Sequence, residues 1–167
     1  GASASILEWE GDPTSHPDGT VTYPRVKIGE GNNATVVSVG DCVYLTPQTV
    51  RTNAPCEIAC VTSMGPGDYG DFTMSARWCY RPQHVQNLVE SLPAAERPMD
   101  REIFYTEDES DQPIEAIERR CFVTEFIARA AALELAAQPD SFFYRRAYDV
   151  VGCRLGPLST AKADAAA

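Results

Sequence analysis

The feature that most constrains this chain is a strict two-residue alternation near its middle. Between Phe72 and Tyr80, large apolar side chains fill most of the alternate positions, and mainly small or polar residues lie between them. Successive side chains of a β-strand point to opposite faces, so this pattern predicts a strand with its large side chains on one face. Arg81-Pro82 follows directly and should end the strand, because proline cannot donate a ladder hydrogen bond.

Other segments rich in β-branched and aromatic residues also predict short strands, with turn-forming sequences such as Gly65-Pro66-Gly67-Asp68 between some of them. These runs are Thr35 to Leu45, Glu57 to Met64, Glu102 to Thr106, Cys121 to Phe126 and Ser141 to Tyr148. Several short strands separated by turns predict a mostly β fold with a small distorted β-barrel or sandwich core.

Helices are expected only as short insertions in this β framework. Pro113 to Arg119 predicts a short helical turn that leads into the next strand. Ala128 to Ala137 has high helix propensity and ends before Gln138-Pro139. The polar, proline-containing segment from His84 to Asp100 is expected to be a long surface loop.

Length and composition favour one domain around one core, since the chain has 167 residues of which 44% are hydrophobic. We expect the domain to cover residues 6–157, with a core at about 36–149 and an N-terminal extension at 6–35. Residues 1–5 are interpreted as a tag or disordered end, and the Ala-rich residues 158–167 as a disordered tail. No run approaches the roughly 18 apolar residues of a membrane helix, so no membrane association is expected.

Cysteine spacing gives no metal-binding or disulfide signature. The six cysteines contain no Cys-x-x-Cys pair, and the two histidines, His16 and His84, are isolated. Most of the cysteines lie in β-type apolar runs, where a free thiol behaves as a small buried hydrophobic group. We therefore expect reduced core thiols, no metal and no cofactor, with a redox or metal role as the alternative.

The charge balance favours a cationic partner over nucleic acid. The chain has 14 basic and 24 acidic residues, a formal net charge of −10, and its only lysines are Lys27 and Lys162. Binding to nucleic-acid phosphates requires clustered basic side chains, so a nucleic-acid partner is not expected. Net acidity also serves solubility, and composition alone does not separate these two interpretations.

Several phrases, taken in order, resemble the bromo-adjacent homology (BAH) domain. Four carry the resemblance: Val39–Leu45 (VGDCVYL), Ile58–Val61 (IACV), Arg77–Pro82 (RWCYRP) and Arg101–Thr106 (REIFYT). Two later segments agree with the family pattern: Ile117–Val123 (IERRCFV), with Arg119 where the family usually has glycine, and Asp140–Asp149 (DSFFYRRAYD). The resemblance covers about Val36 to Asp149, and it depends on the combination because each phrase alone is weak.

The resemblance implies a non-catalytic module of nuclear chromatin regulators that mediates protein contacts, and some members of the family read methylated lysine on histone tails. We therefore expect a histone-tail reader acting in epigenetic regulation such as gene silencing. The alternative is a scaffold or intramolecular regulatory domain of a larger chromatin protein, which would use other surfaces. A nucleic-acid binder built on the β-barrel is a remote third class.

Trp78 and Tyr80 are the leading candidates for recognition. A methylated ammonium is bound by aromatic faces, whose quadrupoles attract a cation, often with a carboxylate nearby. Two residues apart on one strand, these rings project from the same face, and the resemblance implies that the family's cage takes aromatics from these positions. The alternative is that both rings belong to the core.

Four further residues are candidates for the same site. Glu57 stands where reading members commonly have an aromatic residue, and its carboxylate would accept the N–H that only mono- or dimethyllysine retains. The sequence therefore predicts a preference for lower methylation states or a loss of methyllysine reading. Tyr44 or Tyr69 is expected to complete a cage from a neighbouring segment. Asp108, where some members have histidine, belongs to an acidic cluster at Glu107–Asp111, read either as a steering surface for a basic peptide or as a solvated loop.

Catalysis is not expected. Cys79 and His84 would have to act as nucleophile and base, but Cys79 is predicted to lie on the strand face opposite Trp78, with no orienting group evident. The Gly65-Pro66-Gly67 segment lacks the following glycine and lysine of a phosphate-binding loop.

Overall fold

The structure, a computed structural model, describes residues 6–46, 57–125 and 128–158. The described residues are mostly β, which confirms the predicted fold class. Their twelve strands are β1 (Leu7–Glu10), β2 (Thr14–Ser15), β3 (Val21–Thr22), β4 (Arg25–Ile28), β5 (Thr35–Ser38), β6 (Cys42–Leu45), β7 (Glu57–Pro66), β8 (Phe72–Tyr80), β9 (Glu102–Pro113), β10 (Ile117–Glu125), β11 (Ser141–Asp149) and β12 (Arg154–Pro157). The candidate tag at 1–5 and all but the first residue of the candidate tail lie outside the described residues.

Helices are few and short, as predicted. The two α-helices are α1 (Gln86–Glu90) and α2 (Arg129–Ala136), and the second confirms the helix expected at 128–137. Four 3₁₀ turns accompany them: Gly31–Asn33, Pro82–Val85, Ala94–Glu96 and Ile114–Ala116. No helix among the described residues is both long enough and apolar enough to span a membrane.

One sequence expectation about local structure was wrong. The segment from His84 to Asp100 is not simply a surface loop, because it holds α1, the 3₁₀ turn Ala94–Glu96 and the end of the 3₁₀ turn Pro82–Val85. The residues of α1 (QNLVE) are compatible with a helical turn, and Pro82 and Pro93 lie on either side of it. The acidic run at Glu107–Asp111 is not a loop either, since β9 continues through it to Pro113.

The chain divides into two compact units. Unit 1 comprises residues 1–77 and 109–120, and unit 2 comprises residues 78–108 and 121–167. Strands β8, β9 and β10 each contribute residues to both units.

In unit 1, the pairings β1–β4, β4–β5, β2–β3 and β6–β7 are antiparallel. β1, β4 and β5 form a three-stranded sheet in the order β1-β4-β5, and β2 pairs with β3. The second sheet of this unit has the strand order β10-β6-β7-β8-β9. It includes only the first parts of β10 and β8 and the end of β9. Its core contains the fully buried side chains of Val26, Val37, Val43, Ile58 and Met64.

The N-terminal extension is packed against this second sheet. The indole of Trp9 stacks on Tyr23 at a centroid distance of 5.2 Å and on Phe72 at 4.5 Å. The backbone N–H of Tyr23 donates to the carbonyl of Met64 over 2.9 Å. A Cβ at Gly65 would lie 2.2 Å from the carbonyl oxygen of Val21, so only glycine allows β3 to approach β7 this closely.

The expectation that all cysteines are reduced was wrong for one pair. Cys42 on β6 lies directly opposite Cys60 on β7, and their sulfur atoms form a disulfide. The two residues are 18 apart in sequence, and strand register, which local spacing does not reveal, makes them neighbours. Among the described cysteines, Cys79, Cys121 and Cys153 carry thiols that are not part of a disulfide, and Cys56 lies outside the described residues.

Unit 2 is centred on β11. The start of β9 pairs with β11 in parallel, the end of β10 pairs with it in parallel, and β12 pairs with it antiparallel. Phe104 and Phe143 are buried in its core. The carboxylate of Glu102 is also buried and forms ion pairs with Arg145 at 3.0 Å and Arg146 at 2.8 Å.

Burial along β8 does not follow a single phase. Met74 and Ala76, at even positions, are buried in the first part of the strand. In the second part the buried residue is Cys79, at an odd position, while Trp78 and Tyr80 are only half-buried. The predicted strand is confirmed, but its large side chains do not share one buried environment.

Candidate functional site

The candidate site of unit 2 begins at the end of β8. Trp78 and Tyr80 flank the buried Cys79, and side chains two residues apart on a strand project from the same face. Both rings are half-buried, so neither is a fully enclosed core residue. Each of the two residues therefore keeps part of its surface accessible to solvent.

A hydrogen-bond chain fixes Asp108 beside this strand end. The hydroxyl of Thr106 donates to the carbonyl of Trp78 over 2.6 Å and accepts the backbone N–H of Asp108 over 3.1 Å. The hydroxyl of Tyr80 then donates to Asp108 Oδ2 over 2.6 Å. Thr106 is 1% exposed, so its hydroxyl would be costly to bury without these partners. The strand register of β8 and β9 thus places a carboxylate next to an aromatic ring.

Two further aromatic rings contact Tyr80. Tyr148, on β11, lies with its ring centroid 5.4 Å from that of Tyr80 and an interplanar angle of 34°. His84 meets the Tyr80 ring edge-on at 5.9 Å. The imidazole of His84 is held by the backbone N–H of Arg81, which donates to Nδ1 over 2.9 Å. Tyr80 is therefore part of a small aromatic cluster.

The hydroxyl of Tyr148 is coupled to the turn that follows β11. A hydrogen bond with Cys153 raises the pKa of Tyr148, and lost hydration and the charges of Cys153 and Asp149 act in the same direction. Cys153 adopts a positive φ of 52° in this turn, and its thiol donates to the carbonyl of Val150 over 3.7 Å.

The ring geometry limits how a cation could bind. Tyr80 and Tyr148 contact each other directly, and a cation–π contact itself requires a cation within about 6 Å of a ring centroid on an open face. An ammonium group does not fit between two rings at 5.4 Å. A cationic group would have to approach Trp78 or the outer faces of the tyrosine pair, with Asp108 supplying the negative charge.

The other three predicted site residues belong to unit 1. Tyr44 is 6% exposed, and the guanidinium of Arg119 covers its ring at 4.6 Å, so it is a core residue there. Glu57 is half-buried at the start of β7, opposite Leu45. Tyr69 is 99% exposed in the turn between β7 and β8. Within unit 2, a hydrogen bond connects Tyr80 to Asp108. The contribution of Tyr44, Glu57 and Tyr69 to the same site stays a prediction.

Sequence reasoning missed Tyr148 and Thr106 as parts of the site. Tyr148 lies in the closing aromatic segment, where it is one of several rings with no local signal that singles it out. The parallel pairing of β9 with β11 is what brings that segment to the site, and parallel pairing joins residues distant in sequence. Within the described ranges, no group of three or more His, Cys, Asp or Glu side chains is arranged to hold a metal ion.

Comparison with known proteins agrees with this architecture. In fold, the chain is similar to the crystal structure of the yeast Rsc2 BAH domain, with a TM-score of 0.56 and 18% sequence identity. That similarity covers 80% of this chain and 54% of the yeast chain, so the match spans about half of the yeast chain's length. The sequence profile of the BAH domain matches residues 35–158. The chain therefore belongs to the BAH domain family, whose members are chromatin-associated interaction modules.

Proposed function

We propose that this domain is a nuclear module that binds a basic histone-tail segment at Trp78, Tyr80 and Asp108, with a methylated lysine as the bound cation. The observation that carries the proposal is the 2.6 Å hydrogen bond from the Tyr80 hydroxyl to Asp108 Oδ2. It fixes a carboxylate at the rim of a half-buried aromatic ring. An aromatic face beside a carboxylate is the arrangement that attracts a poorly hydrated cation.

Asp108 gives this site a basis for distinguishing methylation states. Its Oδ2 accepts the Tyr80 hydroxyl, which leaves Oδ1 to accept an N–H from the ligand. Mono- and dimethyllysine retain such an N–H, whereas trimethyllysine has none to donate. The proposal therefore specifies lower methylation states, and it assigns to Asp108 the carboxylate role that sequence reasoning gave to Glu57.

The chain's charge supports a basic peptide as the partner. A net charge of −10 attracts an Arg- and Lys-rich segment and opposes the approach of nucleic-acid phosphates. Within unit 2, the exposed carboxylate of Glu107 directly precedes Asp108 on β9. Such a surface increases the rate of encounter with a basic tail even where it adds little to affinity.

Calorimetry with matched histone-tail peptides carrying no, one, two or three methyl groups on one lysine tests the proposal. Trp78→Ala should weaken binding of the preferred peptide about ten-fold or more, since a desolvated cation–π contact contributes about 2 kcal/mol. Asp108→Asn should reduce the preference for lower methylation states, because an amide oxygen is a weaker acceptor than a carboxylate.

Two Tyr→Phe variants complete the test, one inside the proposed site and one as a matched control outside it. Tyr80→Phe removes the hydroxyl that holds Asp108 but keeps the ring, so it should weaken selectivity more than affinity. Tyr23→Phe makes the same change at a half-buried tyrosine of unit 1 and should leave binding unchanged. The proposal is wrong if wild type and Trp78→Ala bind every peptide with the same affinity. It is also wrong if wild type binds no peptide at high micromolar concentration.

A scaffold function is the second candidate, and the packing of Tyr80 favours it. Its ring contacts both Tyr148 and His84, which is the environment of a ring that stabilises the fold. A scaffold domain would bind another chromatin protein through surfaces other than this cluster. A partner whose affinity is the same for wild type and Trp78→Ala, with no peptide binding in calorimetry, would establish this second function.

A further inference from the structure

The tip of the β7–β8 hairpin presents one aromatic side chain to solvent. Five residues, Gly67 to Asp71, connect the two strands, and Tyr69 lies at their centre. Its side chain is 99% exposed, whereas large hydrophobic side chains elsewhere in this hairpin, such as Met64 and Met74, are buried. A ring this exposed contributes almost no packing to the fold, so the Tyr69 side chain is accessible to a partner.

Backbone hydrogen bonds order the turn that carries this ring. The N–H of Gly67 donates to the carbonyl of Asp71 over 2.8 Å, and the N–H of Gly70 donates to the carbonyl of Gly67 over 3.0 Å. Gly70 has a φ of +77°, the left-handed residue expected after a tight turn in a hairpin. The carboxylate of Asp71 lies against Gly67, where a Cβ would meet its Oδ1 at 2.5 Å. A preorganised turn loses little conformational entropy when it binds a partner.

The charge around the tip has one sign. Asp68 and Asp71 flank Tyr69, both are exposed, and no Lys, Arg or His occurs anywhere from position 57 to position 76. Carboxylates also line the arms of the hairpin. Glu109 accepts the hydroxyl of Thr62 on β7 over 2.7 Å, and Asp111 accepts the hydroxyl of Ser75 on β8 over 3.0 Å.

We propose that this hairpin tip is a second docking surface and that it binds an arginine-bearing protein surface. The guanidinium stacks on the Tyr69 ring and pairs with Asp68 or Asp71. Arginine fits better than lysine, because its planar group stacks on an aromatic face and is less strongly hydrated than an ammonium. Nucleic acid does not fit, since its phosphates would meet two carboxylates. Asp68, Tyr69 and Asp71 belong to unit 1, whereas the proposed methyllysine site uses Trp78, Tyr80 and Asp108 of unit 2.

Titration of the ¹⁵N-labelled protein with hexa-arginine and hexa-lysine, monitored by amide chemical shifts, tests the proposal. Both peptides carry the same charge, so a difference between them reports guanidinium stacking. We expect tighter binding of hexa-arginine, with the largest shifts at residues 67–71. Tyr69→Ala should weaken that binding about two- to five-fold, the range of an exposed cation–π contact. Asp68→Asn/Asp71→Asn should weaken it by a similar factor and make it less dependent on salt.

Two controls separate this surface from general acidity and from the other site. Asp12→Asn removes an exposed carboxylate elsewhere in unit 1 and should leave hexa-arginine binding unchanged. Trp78→Ala should also leave it unchanged, whatever its effect on histone peptides. The proposal is overturned by equal affinity for the two peptides, by shifts that avoid residues 67–71, or by undiminished binding to Tyr69→Ala. A lowered melting temperature of Tyr69→Ala would also overturn it, because the ring would then serve the fold.

Discussion

Replacing Glu102 with glutamine should lower the free energy of unfolding by about 2–4 kcal/mol. The side chain of Glu102 is fully buried and accepts three hydrogen bonds. Oε1 accepts the backbone N–H of Met99 and the Nε–H of Arg145, each over 3.0 Å, and Oε2 accepts Nη2–H of Arg146 over 2.8 Å. Glutamine keeps the shape and one acceptor, but it removes the negative charge that both guanidinium groups face.

The magnitude follows from what the substitution leaves behind. Removing one partner of a buried ion pair costs about 3–5 kcal/mol when the remaining charge has no access to water. Here the side chains of Arg145 and Arg146 retain 28% and 19% exposure, so partial hydration reduces that cost. The new amide N–H₂ would also point at the donors of Arg146. The same arginines bind the carbonyls of Arg97 and Glu96 over 3.4 and 2.7 Å, so the segment before β9 should loosen with them.

Urea unfolding monitored by tryptophan fluorescence and circular dichroism measures this effect. With a slope of about 2 kcal/mol per molar urea, the midpoint should fall by about 1–2 M. Glu107→Gln is the matched control, since Glu107 is an exposed carboxylate on the same strand and its replacement should change stability by less than about 0.5 kcal/mol. A Glu102→Gln midpoint equal to that of the control would refute the argument that this ion cluster stabilises unit 2.

Three further predictions concern unit 1. Trp9→Ala removes the ring stacked between two aromatic partners and should destabilise the protein by about 2–4 kcal/mol in the same urea assay. Hydrogen bonds from the Thr20 hydroxyl and backbone lower the pKa of Asp18, so Thr20→Ala should raise that pKa in an NMR titration. Because the folded pKa is the lower one, the stability this carboxylate contributes is present above its unfolded pKa and is lost as pH falls through the folded value. Denatured oxidised protein should have two fewer reactive thiols than reduced protein, and reducing the Cys42–Cys60 bond should cost up to about 3 kcal/mol.

Local sequence pattern predicted the elements of this fold better than their partners. The alternation at 72–80 and the apolar runs at 57–64 and 141–148 correspond to β8, β7 and β11 within two residues. β-Branched and aromatic residues between turn-forming segments explain this success. Pairing is a different matter, because which strands become neighbours depends on the whole chain. The Cys42–Cys60 disulfide and the extension of β9 through an acidic segment both follow from pairing, and neither has a local signal.

The candidate site shows the same division between local and non-local information. Trp78 and Tyr80 were predicted from a two-residue spacing and from the family phrase around them. Asp108 was predicted as part of an acidic cluster that could steer a basic peptide, and its hydrogen bond to Tyr80 required the structure. Tyr148 lies 68 residues from Tyr80 in sequence, and only the parallel pairing within unit 2 explains its contact with that ring.

The change of burial phase in β8 explains why rings with the same alternation as core residues are candidates for recognition. Met74 and Ala76 are buried, so a strand of one phase would also bury positions 78 and 80. Cys79 is instead 4% exposed, and the two aromatic rings beside it are only half-buried. Periodicity in the sequence reports that side chains share a face, but it does not report whether that face remains covered along the whole strand. The alternation that predicted a core strand therefore also predicted a shared face for Trp78 and Tyr80, and the proposed binding requires the partial exposure that both residues retain.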